Sequence, residues 1–385
     1  MEPRSDTHKQ PPSLPEEKVR HWVELAIRAP SGDNCQPWSF TWDGTELEVV
    51  HLEQRAKHVL NPHNTASLIS LGAIVESLHL AASDDGFETS CDIMPRSQWE
   101  KHAAARLSFA PSASPLMPTL PGSKVSYQSQ LEKRSTYRLP FAPLPRSPLP
   151  EAQVKALVSY AHVQLAFLSL EKFPEISRGL CQSESTFWLS RSVTKNLLRW
   201  VRFSTHASQK TRDGMYWREL GVSGPEAAFF WLLKNPAVWW VVRGLFGRMH
   251  HRKLKQLFSP ATSLVLFLTD APSEEASLVQ VGRAGLRTWI ALEERGYAVQ
   301  PCSLSSLFPY GLQHNLGRGV FSSQQETFLA HLAQKMQSAS PNGLSPAYQL
   351  VWLFRTGVCK GENQVSSSQR RALNDVFFHR LRHVK

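Results

Sequence analysis

Cysteine is scarce and scattered in this 385-residue sequence. The five residues Cys35, Cys91, Cys181, Cys302 and Cys359 lie far apart, with no C-x-x-C pair and no Cys/His cluster. That distribution speaks against a disulfide framework and against a metal site, and neither is expected. No stretch reaches the roughly 18 uninterrupted apolar residues of a membrane span. Met1 to Lys18 is polar and Pro-rich without an apolar segment, so no signal peptide is expected and the cytoplasm is the expected compartment. Zinc-finger spacing, a helix-turn-helix pattern and an Arg/Gly-rich tail are all missing, which argues against nucleic acid as a partner. The net charge of +11, from 43 Lys+Arg against 32 Asp+Glu, is dispersed except around Arg248, His250, His251, Arg252, Lys253 and Lys255. An anionic cofactor or an anionic membrane surface would use the same surplus.

With 42% hydrophobic and 19% charged residues, 12 Trp and 19 Phe, the chain has a globular composition and no disordered character. Its length allows two or three lobes.

Residues 1–14 read as a loose polar arm. Pro15–Arg28 reads as a helix, with acidic residues in its first turn and Val19, Trp22, Val23, Ala26 and Ile27 at helical spacing. Ala29–Pro37 is a Gly/Asn/Pro-rich loop. Two alternating runs, Trp38–Trp42 and Leu47–Leu52, flank Asp43-Gly44 and predict a hairpin. Thr65–Ala82 is almost uniformly apolar, as a helix buried in a core would be. A strand near Arg106–Phe109 and a Ser/Pro-rich linker over Ala110–Ser123 follow. Beyond a Pro-rich run at Leu139–Pro150, the pattern predicts helices from Glu151, over Glu184–Ala207, Ser277–Arg295, Gln325–Met336 and Ser367–Phe378. Strands are predicted at Ser263–Leu268, Tyr297–Gln300 and Tyr348–Arg355.

The segment Glu226–Leu257, EAAFFWLLKNPAVWWVVRGLFGRMHHRKLKQL, is unusual. Lys234 and Arg243 interrupt its apolar run and Pro236 breaks it. Two readings stand open: a pair of buried or lid-like helices, or a peripheral membrane contact through residues 229–257.

The run RAPSGDNCQPW, Arg28 to Trp38, closely resembles the loop after the first helix of nitroreductase-like flavoproteins, where an A-P-S-x-x-N-x-Q-P-W pattern lies against FMN. Ser31, Asn34 and Gln36 offer uncharged donors and acceptors suited to ribityl hydroxyls and ring polar atoms. The family's R-x-S/T-x-R motif is missing before the first helix but occurs later as Arg134-Ser135-Thr136-Tyr137-Arg138, with Phe141 following. Two arginines flanking a hydroxyl make a phosphate clamp, although a solvated basic loop would read alike in isolation. The resemblance implies that Arg134, Thr136 and Arg138 hold FMN, with Arg138 as a positive charge near flavin N1. It also makes Gln300 a ring contact and Arg355, in Leu353-Phe354-Arg355-Thr356-Gly357, a phosphate contact.

Each half of the chain carries one part of the binding apparatus. The run Tyr160–Phe167, retaining Gln164, reads as a degenerate second copy of the first loop. The central helices Leu68–Ala82 and Leu278–Leu292 both carry small residues, Gly72 and Ala73 in one and Gly282, Ala284 and Gly285 in the other, for close packing or close approach to a ligand. The pattern looks like the two-lobed branch of the family related to the Acg proteins. The resemblance implies an α+β nitroreductase-like fold with two pseudo-symmetric lobes fused in one chain, residues 15–125 and 126–385. The second lobe would include a helical cover at 184–257. A monomer would then act as a pseudo-dimer with a single FMN.

The implied activity is transfer of electrons from NADH or NADPH through FMN to a small-molecule acceptor, nitroaromatic or quinone-like. The flavin carries that chemistry, so no catalytic side chain is required, and no Ser/His/Asp or carboxylate pair has informative spacing. His162 and His206 read as structural. Asp213-Gly214-Met215, with Leu220-Gly221 and Gly224-Pro225, is a candidate pocket rim. Because Phe229–Phe246 could cover the flavin, an FMN-holding or regulatory protein with little turnover is the alternative.

Overall fold

Pro15 and the acidic first turn of Glu16 and Glu17 start helix α1 (Glu16–Ala26), which buries Val19, Trp22, Val23, Leu25 and Ala26. The computed structural model describes residues 14–112, 123, 125–143, 149–340, 347–360 and 368–380. Almost all of the polar arm, most of the Ser/Pro-rich linker and part of the Pro-rich run at 144–148 lie outside the described residues.

The hairpin forms from β1 (Trp38–Trp42) and β2 (Glu46–His51). Gly44 turns it at φ 97, a conformation glycine adopts without strain, and the Asp43 carboxylate accepts from the N–H groups of Thr45 and Glu46. Helices α2 (Glu53–Ala56) and α3 (Thr65–Asp84) and strands β3 (Phe87–Ile93) and β4 (Ala105–Pro111) complete the first half. The second half opens with α4 (Tyr127–Lys133), α5 (Glu151–Leu157) and β5 (Val163–Ser169). A helical insertion follows: α6 (Pro174–Thr186), α7 (Arg191–Trp200), β6 (Val201–Arg202), α8 (Thr205–Thr211), β7 (Met215–Tyr216), α9 (Gly224–Leu232) and α10 (Pro236–Leu257). The chain closes with β8 (Ser263–Thr269), α11 (Glu275–Glu294), β9 (Tyr297–Pro301), α12 (Leu307–Gln313), α13 (Ser323–Ser338), β10 (Gln349–Val358) and β11 (Phe377–His379).

The halves are topological copies. One sheet runs β11-β1-β2-β4-β3 and the other β5-β8-β10-β9, and the four matching strands pair antiparallel in the same order. Helix α3 precedes β3 as α11 precedes β9. The connection within the leading hairpin differs: residues 43–45 join β1 to β2, whereas the whole insertion, residues 170–262, lies between β5 and β8. The two-lobed α+β architecture with an inserted helical segment is thus present.

Helices α3 and α11 join the halves at backbone contact. A Cβ on Gly72 would lie 2.0 Å from the Val279 carbonyl oxygen, and one on Gly282 would lie 2.0 Å from that of Ile69. Each glycine meets the residue three positions before the other glycine, which is the reciprocity of a two-fold interface within one chain. Beside them Glu76, fully buried, pairs with Arg283 at 2.8 Å and Arg287 at 2.7 Å, and these cations hold its carboxyl below the usual range against the cost of burial. The small residues of both central helices therefore serve packing.

Two local expectations are corrected. Ser367–Phe378 is not a helix: among its described residues a short turn at Leu373–Asp375 leads into β11. That strand pairs parallel with β1, with Phe40 N–H donating to the Val376 oxygen and Arg380 N–H to that of Trp42. Burying Val376 and Phe377 and covering the β1 edge outweighs local helix preference. The run Tyr160–Phe167 is largely strand β5, and Gln164 sits opposite Leu268 in the ladder. The positional counterpart of the Ala29–Pro37 loop is the short turn 158–162.

Candidate functional site

A cavity of about 380 Å³ lies where the two halves, the insertion and the C-terminal segment meet. Its floor is the first turns of α3, with Ala66, Ser67, Ile69 and Ser70. The Pro30–Cys35 stretch and Pro37 form one wall, and Arg134, Thr136, Arg138 and Gln300 another. The insertion supplies Glu184, Phe187, Trp188, Leu197, Phe230, His250 and Lys253, and the C-terminal segment supplies Ser368 and Arg370.

The loop before β1 is held in an unusual conformation, with Asp33, Asn34 and Gln36 at φ 50, 55 and 50. Its side chains stitch three segments together. Asn34 Nδ2 donates to the carbonyls of Gly214 (2.7 Å) and Gln369 (3.0 Å). Gln36 Nε2 donates to the Arg212 carbonyl at 2.9 Å, and Gln36 Oε1 accepts from Arg371 N–H at 2.9 Å. Ser31 Oγ accepts from Gln36 N–H. Arg55, also lining the cavity, pairs with Asp213 at 2.6 Å, and Arg202 binds the other oxygen of that carboxylate. The Asp213–Met215 turn thus docks on the loop, and Met215 and Leu220 form part of the wall.

Electrostatically the site is a cluster of arginines, with Arg134 buried and Arg28, Arg138 and Arg370 half-buried around it. The Nη2 groups of Arg134 and Arg370 both donate to the Arg28 carbonyl oxygen, and the guanidinium of Arg134 also lies 4.5 Å from the Trp289 ring centroid. Burial, partly offset by Glu293, pushes Arg134 down to about 10, with Arg28 and Arg138 adding to the fall. Burial and the charges of Arg134 and Arg28 push Arg370 down to about 9. Arg28 and Arg138 are lowered by burial too. Arg28 Nε, Arg134 Nη1 and Arg370 Nε are buried without a hydrogen-bond partner. Unpaired donors on mutually repelling buried cations are expensive, and an anion at this wall would satisfy both demands.

Gln300 lines the cavity because Arg355 holds it there: Arg355 Nε donates to Gln300 Oε1 at 2.6 Å. The remaining Arg355 donors reach the carbonyls of Leu257, Tyr137 and Leu139, with the guanidinium over Phe141 at 4.7 Å. Nearby, Ser305 donates to Glu184 at 2.8 Å, while burial pushes the Glu184 carboxyl up to about 6. His250 is pushed down to about 4, chiefly by burial.

The structure therefore gathers Ser31, Asn34, Arg134, Thr136, Arg138 and Gln300 around one cavity, although the sequence spreads them across the chain. Gln36 and Arg355 stand behind the wall and position it. His162 is half exposed against Asp270 and His206 is exposed, both away from the cavity. Sequence reasoning missed Arg370, Arg55 and Glu184. No motif marks them, and Arg370 reaches the site only because β11 carries the C-terminal segment back across β1.

No family model matches the chain. It is 24% identical over 346 residues to a probable NAD(P)H nitroreductase, PigM, of Serratia sp. (strain ATCC 39006), covering 85% of this chain and 90% of that one. It is 23% identical over 330 residues to the putative NAD(P)H nitroreductase acg of Mycobacterium tuberculosis, covering 84% and 91%. Among solved structures, the FMN-dependent nitroreductase NfnB of Mycobacterium smegmatis in complex with NADPH covers 64% of this chain and 95% of its own. It does so at 11% identity and a TM-score of 0.36, too loose to argue from. In sequence, the chain is a relative of the NAD(P)H nitroreductase-like proteins, and their Acg-type branch fits it.

Proposed function

We propose that this protein is an FMN-dependent NAD(P)H oxidoreductase that holds one FMN in the cavity between its halves. The observation that carries the reading is that Arg134 and Arg370 line the cavity, each with a donor that has no protein partner, which suits a phosphate dianion. Arg134 and Arg370 would hold the phosphate, Ser31, Asn34 and Thr136 the ribityl chain or ring edge, and Gln300, aimed by Arg355, the ring. Arg138 would place positive charge on the N1 side. Bound FMN would supply acceptance of hydride from a reduced nicotinamide and onward delivery of electrons. The protein's own share is binding, orientation and exclusion of water by Trp188, Phe230 and their neighbours. A nitroaromatic or quinone-like acceptor suits the apolar roof.

That roof also favours a second reading, in which the covered flavin is held with little turnover. Anaerobic addition of NADH, then NADPH, to the FMN-loaded protein separates the two. Rapid bleaching of the visible flavin bands is expected for the oxidoreductase; bands that persist with both donors favour the holding protein. Failure to take up FMN would sink both.

A further inference from the structure

We propose that the outward face of α9 and α10 docks on an anionic phospholipid bilayer. The two helices are two-faced. Inward, Phe230, Leu233 and Trp239 pack with Trp188, Leu198 and Val201 in a small core of their own. Outward, Trp231, Trp240, Val241 and Leu245 are 58%, 68%, 75% and 61% exposed, and Leu232 is exposed beside them. Trp231 and Leu232 end α9, and Trp240, Val241 and Leu245 lie in the first three turns of α10, with Lys234 exposed in the turn between them. Five large apolar side chains exposed on two consecutive helices mark an interaction site.

Charge selects the occupant. Along α10, Val241, Leu245, Arg248 and Arg252 are all exposed and recur at helical spacing, so the outward stripe passes from apolar to basic. From Ala227 to Thr269 the chain has Lys234, Arg243, Arg248, Arg252, Lys253 and Lys255 and no acidic residue; from Phe187 to Arg212 it also has none. Trp231 and Lys234 join Arg191, Lys195 and Arg199 in lining a groove of about 770 Å³ on the same side. A second copy of this chain on the face would set these cations against themselves across a two-fold axis. Anionic headgroups meet them with opposite charge, while indoles favour the boundary between headgroups and acyl chains.

The docking is peripheral. Among the described residues only the helix at Pro62–Asp84 is long and apolar enough to span a bilayer, and 89% of its most apolar window is buried in the core. The basic second half of α10 would instead keep the hairpin in the interface plane. Lys253 is not part of the face: it donates to the Gly221 carbonyl and pairs with Glu226.

The test is sedimentation of the full-length protein with phosphatidylcholine vesicles, and with vesicles in which part of that lipid is replaced by phosphatidylglycerol. Binding to the anionic vesicles alone is expected, weakening with added salt and accompanied by a blue shift of tryptophan emission. The double variant K234E/R248E should lower partitioning about 25-fold or more, at roughly fivefold per lost cation, and W240S/V241S should weaken binding to anionic vesicles and reduce the blue shift, with Trp231 still in the face. Both variants alter exposed side chains, so unchanged circular dichroism and unfolding midpoint certify the fold. Equal binding to both vesicle types, no binding at all, or loss of a solution dimer in W240S/V241S would overturn the proposal.

Discussion

Arg134 and Arg370 meet on one acceptor: both guanidinium groups donate to the main-chain oxygen of Arg28. One arginine comes from the second half and the other from the C-terminal segment, while the carbonyl belongs to the first half. Three distant stretches thus converge at one end of the cavity, and each arginine keeps a donor with no protein partner.

If those donors wait for phosphate, Arg134→Gln and Arg370→Gln should each weaken FMN binding about 10- to 100-fold, the value of a charge-assisted hydrogen bond. Riboflavin, which lacks the phosphate, should lose much less. Fluorescence titration of both flavins checks this, and an equal loss for the two would move the phosphate elsewhere.

Gln300 and Arg355 should separate in their effects. Arg355→Ala leaves buried carbonyls of Tyr137 and Leu139 without their donor and should cost about 3 kcal/mol or more. Gln300→Ala leaves only the buried Arg355 Nε without its acceptor, so it should cost less, about 1–3 kcal/mol, and alter the bound flavin's absorption spectrum.

The interface between halves should not tolerate a methyl group at its crossing. Gly72→Ala and Gly282→Ala each force a Cβ onto a backbone oxygen 2.0 Å away. Each should destabilise by about 3 kcal/mol or more, measured by denaturant unfolding, and the double variant should cost less than the sum because one helix separation relieves both.

Glu184 should leave a signature in the pH dependence of stability. Its folded pKa is raised from 4.5 to about 6 by burial, so the fold favours the protonated acid. Its contribution is fully present below about pH 4.5 and is lost as pH rises through about 6. Glu184→Gln should flatten the thermal midpoint across that window.

Strand β11 makes a further distinction. Phe377→Ala removes a side chain only 4% exposed and should cost about 3–5 kcal/mol. Phe378→Ala, at a 50% exposed position, should change stability by about 0.5 kcal/mol or less. A helix over these residues would not impose that alternation.

Local pattern by itself determined much of this protein. The early helix, the Asp43-Gly44 hairpin, the two glycine-bearing central helices and the helical pair after Glu226 are set by spacing, turn chemistry and apolar periodicity, which act over a few residues. The loop at Arg28–Trp38 and the run at Arg134–Arg138 were legible for the same reason. Tertiary structure decided the rest. Whether Ser367–Phe378 becomes helix or strand depends on an open β1 edge hundreds of residues earlier, and Arg370 enters the cavity through that pairing. Gln36 and Arg355 look like ligands in sequence, yet the fold directs most of their polar atoms to backbone groups. Only in three dimensions do Arg28, Arg134 and Arg370 crowd together with donors unpaired, because desolvation and mutual repulsion are properties of a place and not of a sequence position.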